Sequence, residues 1–159
     1  CVGIGEVKTS TDKKLSENSA NLALSHVVPD LILKTLEMKD EIEILGEGNQ
    51  IRHYTYGQDL AEGVCLLLEH PNAKNQDFNL STNTSTSVLE LAEVIWKKIR
   101  PSDEFRYVSV DSFTYDVQKR IPNVQKAKDL IGFEAKTTLS DMLDIVIPWV
   151  KEAKEKGLY

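Results

Sequence analysis

The chain of 159 residues holds only two cysteines, Cys1 and Cys65. They form no Cys-x-x-Cys pair and give no disulfide framework. The three histidines, His26, His53 and His70, share no ligand spacing and join no acidic cluster, so no metal site is expected. No apolar run approaches the ~20 residues that a membrane-crossing helix needs. Positive charge is scarce: 19 Lys and Arg against 25 Asp and Glu leave a net charge of −6. A field of that sign argues against broad binding to nucleic acid or anionic membranes. There is no Gly-x-Ser-x-Gly elbow and no Cys–His arrangement. Neither Gly3-Ile-Gly5 nor Gly46-Glu-Gly48 reaches the third glycine of a dinucleotide cradle, so both read as turns. The chain also begins without Met and without a signal-peptide pattern, and Cys1 reads as a cut edge. A reducing, cytoplasmic setting is the simplest expectation.

What is present is an ordinary globular pattern. A hydrophobic content of 41% at this length is enough for a core, and a single unit over 1–159 is expected. Residues 6–24 are polar and read as a loop. From a cap at Ser25, Val27, Val28, Leu31, Ile32 and Leu36 recur at helical spacing, with Pro29 in the first turn. Ile42–Leu45, Ile51–Tyr56, Asp77–Leu80 and Glu104–Val110 read as strands. Asp59-Leu-Ala-Glu62, Ser87-Val-Leu-Glu90 and Thr138-Leu-Ser-Asp141 open helices with an acceptor at the cap. The first of these helices has Leu60, Ala61, Val64, Cys65 and Leu68 on one side, predicted to face inward. A short helix over 123–131 ends at Gly132. Pro148 is expected to kink or break the last helix. Strands and helices roughly alternate, which places the chain in the α/β class, mixed α+β.

Only four arginines occur: Arg52, Arg100, Arg106 and Arg120. The planar guanidinium suits bidentate phosphate or carboxylate binding. Arg52 lies inside an apolar and aromatic strand, and Arg120 stands just before a helix entrance. An anion site is one reading of both; a surface ion pair is the other.

The order of segments carries a resemblance. Ser25-His-Val-Val-Pro-Asp-Leu-Ile32, Ile44-Leu-Gly-Glu-Gly-Asn-Gln-Ile-Arg52, Tyr54-Thr-Tyr-Gly-Gln-Asp-Leu-Ala-Glu-Gly63 and Phe78-Asn-Leu80 follow one another. After them come Ser87-Val-Leu-Glu-Leu-Ala-Glu93, Arg120-Ile-Pro-Asn-Val-Gln-Lys-Ala-Lys128 and Ile131-Gly-Phe133. Together they resemble the C-terminal, substrate-binding portion of the extended short-chain dehydrogenase/reductases, the family of NAD(P)-dependent sugar-nucleotide epimerases, dehydratases and reductases. The resemblance implies that an N-terminal Rossmann half, with the cofactor loop and the Tyr/Lys base, lies upstream of Cys1. NAD or NADP is then expected in the complete enzyme and none on this chain alone, which would be inert by itself. Tyr115-x-x-x-Lys119 matches the family's catalytic spacing but is expected to be a chance match.

Residue by residue, the resemblance implies that Arg52 and Arg120 hold the nucleotide diphosphate and that Asp116 contacts the ribose. His26 is the one catalytic candidate it offers within this chain. Asp59 and Asn79 read as structural. Four departures stand out: His53-Tyr54 where the family has Asp-Phe, Gln58 within the usual Val-Asp-Asp, Asn123 after Pro122 where it has Asp, and Phe113 where 4-epimerases carry a phosphate-binding arginine. The expected partners are a nucleotide-diphosphate sugar and the Rossmann half. An apolar surface left open to that half would favour a homo-oligomer. A stand-alone module that binds a nucleotide sugar or a protein is the alternative.

Overall fold

The computed structural model describes Val2 and residues 26–37, 40–112 and 115–157. The polar loop at 6–24, the cap at Ser25, the Gly3-Ile-Gly5 turn, Cys1 and Phe113 lie outside the described residues. Helix α1 (Val27–Glu37) buries Val28, Pro29, Leu31, Ile32 and Thr35. Pro29 stands in its first turn as expected, and the buried Thr35 hydroxyl donates to the Leu31 carbonyl at 2.7 Å. Strand β1 (Ile42–Leu45) leads through a turn to β2 (Ile51–Arg52). In that turn Gly46 and Gly48 have φ of 66° and 73°, a region open to glycine without steric cost. Helix α2 (Gly57–Glu69) and the short β3 (Thr86–Ser87) follow. Helix α3 (Val88–Ile99), strand β4 (Tyr107–Val110) and helices α4 (Gln125–Ile131) and α5 (Leu139–Glu155) complete the order.

The expected caps form at α3 and α5. Ser87 and Glu90 exchange both bonds of the capping box, at 3.1 and 2.7 Å. The Thr138 hydroxyl accepts from Asp141 N. At the end of α4, Gly132 adopts φ 69°. Strand β1 pairs in parallel with β4, Ile42 opposite Tyr107. The main core joins α1, α3 and α5 over β1, through Ile32, Ile42, Leu91, Ile95, Trp96, Met142, Leu143 and Val150. The smaller cluster gathers Ala73, Ala127, Ile131 and Phe133.

Three local expectations fail for physical reasons. Asp77–Leu80 is irregular rather than a strand, because no strand among the described residues pairs with it. The Asn79 side chain there donates to the Asn123 carbonyl at 2.9 Å instead. Pro148 does not break helix α5, which continues through it, since its inward face on both sides of the proline is held in the core. Helix α2 starts two residues before Asp59, which therefore does not cap it. The Asp59 carboxylate accepts from the Thr137 backbone and hydroxyl, at 2.9 and 3.1 Å, and so ties α2 to the segment before α5.

Of the predicted inward face of α2, Leu60 is half-buried beside the cleft, while Ala61, Val64, Cys65 and Leu68 are exposed. Val64 and Leu68 are 44% and 82% exposed, and the contacts inward run through Gly63. A Cβ on Gly63 would stand 2.7 Å from the buried Phe133 ring. Gly63→Ala would gain about 1 kcal/mol of helix propensity. Forcing a methyl into filled space costs about 1–3 kcal/mol. We expect packing to win, with a lower urea midpoint and an unchanged m-value.

Candidate functional site

Strand β2 is two residues long, yet it organises the site because both its edges are occupied. On one side it runs antiparallel to β3, with Arg52 opposite Thr86. On the other, Ile51 N donates to the Gln118 carbonyl at 2.8 Å and the Ile51 carbonyl accepts from Arg120 N at 3.2 Å. This second pairing carries residues 116–120 to the Arg52 side chain. Residues 52, 116 and 120, scattered in sequence, thus meet at one strand.

A cleft of about 640 Å³ opens there, lined by His26, Arg52, His53, Tyr54, Thr55, Asn79, Ser81 and Arg120 among others. Such a volume lies within the roughly 300–1,000 Å³ usual for small-molecule sites. Among the described residues its lining holds two arginines and two histidines and no carboxylate. In a chain of net charge −6, that is a local reversal of sign. Arg120 is exposed at the rim, and nothing among the described residues pairs with its guanidinium. His26 lies exposed at the start of α1 and shares the same lining.

A smaller cavity of about 180 Å³ lies beside the cleft, and Val27, Arg52 and Tyr54 line both. Its charges are mixed, with Asp30, Glu43 and Asp116 against Lys34 and Arg52. Arg52 donates through Nη2 to Asp116 Oδ1 at 3.2 Å and through Nη1 to the Ile51 carbonyl at 2.8 Å. Arg52 is therefore ion-paired, and it also borders the larger cleft.

Three residues that the site reading of the sequence passed over, His53, Tyr54 and Thr55, shape the walls. His53 bonds the Thr82 carbonyl through Nδ1 at 2.7 Å and Ser85 Oγ through Nε2 at 2.9 Å. Since a carbonyl only accepts, Nδ1 carries the proton. Thr55 Oγ1 accepts from Thr82 N at 3.0 Å, so both residues pin the loop that brings Ser81 to the cleft. Tyr54 is 8% exposed, and its hydroxyl finds no partner among the described residues. The departure from Asp-Phe to His53-Tyr54 was the available signal for the first two.

Burial pushes the Tyr54 hydroxyl up to about 12, against a smaller downward pull from the Arg52 charge. The folded value exceeds the unfolded one, so the neutral phenol's contribution is complete below about pH 10 and is lost as pH rises through about 12. Wild-type stability relative to Tyr54→Phe should therefore fall by roughly 3 kcal/mol across that window in denaturant titrations.

Tyr115 is 95% exposed and the segment to Lys119 is not helical, so the two side chains are not stacked on a helical turn. Among the described residues no cluster of His, Cys, Asp and Glu could hold a metal, and no helix is long and apolar enough to cross a membrane.

Residues 13–146 match the family described as GDP-mannose 4,6 dehydratase. The chain is 33% identical over 123 residues to UDP-glucuronic acid decarboxylase 2 of Arabidopsis thaliana, a match covering 76% of this chain and 26% of that protein. The chain thus spans about a quarter of this plant relative's length. An epimerase structure from Methanothermobacter thermautotrophicus aligns with 98% of this chain and 42% of its own, at TM-score 0.78 and 20% identity. The UDP-glucuronic acid 4-epimerase of Bacillus cereus, solved with UDP-glucuronic acid and NAD, aligns at TM-score 0.71 and 24% identity, over 80% of this chain and 40% of its own.

Proposed function

The chain belongs to the GDP-mannose 4,6 dehydratase family, within the extended short-chain dehydrogenase/reductases, and from that premise we propose that it is the part of an NAD(P)-dependent nucleotide-sugar epimerase, dehydratase or reductase that holds the substrate's nucleotide diphosphate. The observation that carries this reading is the cleft lined by Arg52 and Arg120, with no carboxylate among the described residues of its lining. A diphosphate is the anion such a pair suits: Arg52 offers its remaining N–H donors from a fixed position, and Arg120 adds a second cation at the rim. Placing the diphosphate fixes the sugar, and positioning of this kind lowers the barrier of a later hydride transfer.

The residues described here do not fit a dinucleotide cradle. The Gly46–Gly48 turn joins two strands, whereas a pyrophosphate cradle needs a glycine turn that opens a helix. We read the nicotinamide cofactor and the catalytic base of this family as held by another part of a longer protein, a reading supported by the quarter of the plant relative's length that this chain spans. Two relatives support the substrate class by what they act on or hold: a decarboxylase of UDP-glucuronic acid, and an epimerase solved with UDP-glucuronic acid and NAD.

Calorimetry on this chain tests the reading. UDP and GDP should bind and uridine should bind far more weakly, since it lacks the anion. Uridine binding as tight as UDP would overturn the diphosphate assignment. No UDP-, dTDP- or GDP-sugar should be turned over by this chain, with or without added NAD; turnover would overturn its inertness.

A further inference from the structure

Family resemblance assigned Asp116 to a ribose, but in the structure its carboxylate is engaged by Arg52 at 3.2 Å. The pair is half-buried, with 23% and 22% of the two side chains exposed. Arg52 is held at a second point, Nη1 on the Ile51 carbonyl. A guanidinium has five N–H donors in a rigid plane. Two anchors on different nitrogens fix that plane and leave three donors free. Asp116 is itself held, because residues 118–120 are bonded to Ile51 on both sides of its backbone. Its carboxylate lines the smaller cavity and is not part of the larger cleft, which Arg52 also borders.

We propose that Asp116 is a positioning residue: it holds the Arg52 guanidinium in register for an anion in the cleft and does not itself contact that anion. The proposal rests on the reading of the cleft as a diphosphate site. Its logic is conformational. A free arginine loses many rotamers when it clamps a phosphate, and an arginine already held by a carboxylate and a carbonyl loses few. What the role requires of Asp116 is a hydrogen-bond acceptor at Oδ1. Its negative charge, so near the anion, is a disadvantage.

The test titrates this chain with inorganic pyrophosphate and with UDP, after thermal melts have shown each variant folded. Asp116→Ala should weaken both ligands by the same factor, about tenfold, the usual scale for ordering one long side chain. Asp116→Asn, which keeps the acceptor and drops the charge, should bind both at least as tightly as wild type. In an Arg52→Lys background, which has no fork to orient, Asp116→Ala should leave pyrophosphate affinity unchanged. If Asp116→Ala weakens UDP but spares pyrophosphate, Asp116 touches the nucleoside and the proposal fails. If Asp116→Ala tightens both ligands, Asp116 competes with the anion and the proposal fails too. A wild-type chain that binds neither ligand overturns the cleft reading, and positioning with it. A wild-type chain that binds both, with Asp116→Ala indistinguishable from it, overturns positioning alone.

Discussion

Arg52→Ala should weaken UDP and GDP binding about ten- to a hundredfold, the range expected when hydrogen bonds to a charged ligand are lost. The residue is half-buried, anchored at two nitrogens and set where the cleft meets the smaller cavity. Removing it deletes a fixed cation and also leaves Asp116 unpaired at the edge of the site, so the local field turns against an anion. Arg52→Lys should fall between the two, since an ammonium restores charge but not the planar fork. Arg120→Ala should cost less, because its exposed side chain must be ordered when the ligand arrives and is screened by solvent. Calorimetry on the wild type and the three variants decides the matter. Equal affinity for Arg52→Ala and wild type would remove Arg52 from the site.

The largest expected effect on stability is at Trp96. Its side chain is 1% exposed in the main core, its indole N–H donates to the Asp103 carbonyl at 3.3 Å, and its ring meets Phe105 edge-on at 5.9 Å. The Arg100 guanidinium lies 5.1 Å from the ring centre, a cation over a π face. Trp96→Ala should cost about 3–5 kcal/mol, the range for truncating a buried large aromatic. A domain's whole stability is about 5–15 kcal/mol, so this one change should bring the chain near unfolding. Urea denaturation followed by circular dichroism measures it. A midpoint within error of wild type would show that the α3 face does not pack as described.

Helices α3 and α5 show how far local pattern reaches. Their caps at Ser87 and Thr138 and their inward residues follow from spacing, because each helix presents a full apolar stripe to a core. Helix α2 shows where it stops. Its leucines and valine have the same spacing, but the helix meets its neighbours through Gly63 and Asp59, so most of the apolar side stays outside. Periodicity reports that a helix is amphipathic; it does not report which side finds a partner. At Asp77–Leu80 the residues favour a strand, and among the described residues no partner strand accepts it.

By itself, then, the sequence determined the mixed α/β class, most helix positions, the turn glycines and the family, because these depend on neighbours in the chain and on the order of segments. It also singled out Arg52, Arg120, Asp116 and His26 as candidates. Only the tertiary structure decided that Arg52, Asp116 and Arg120 come to the same strand, that Arg52 is held by Asp116, and that, among the described residues, a cleft lined by arginines and no carboxylate exists in a chain of net charge −6. The physical reason is one of range. Caps and periodicity act within a few residues, whereas the bond from Arg52 to Asp116 spans 64 positions and depends on how β2 is flanked. Net charge is a sum over the whole chain, and it cannot show where in space the few arginines collect.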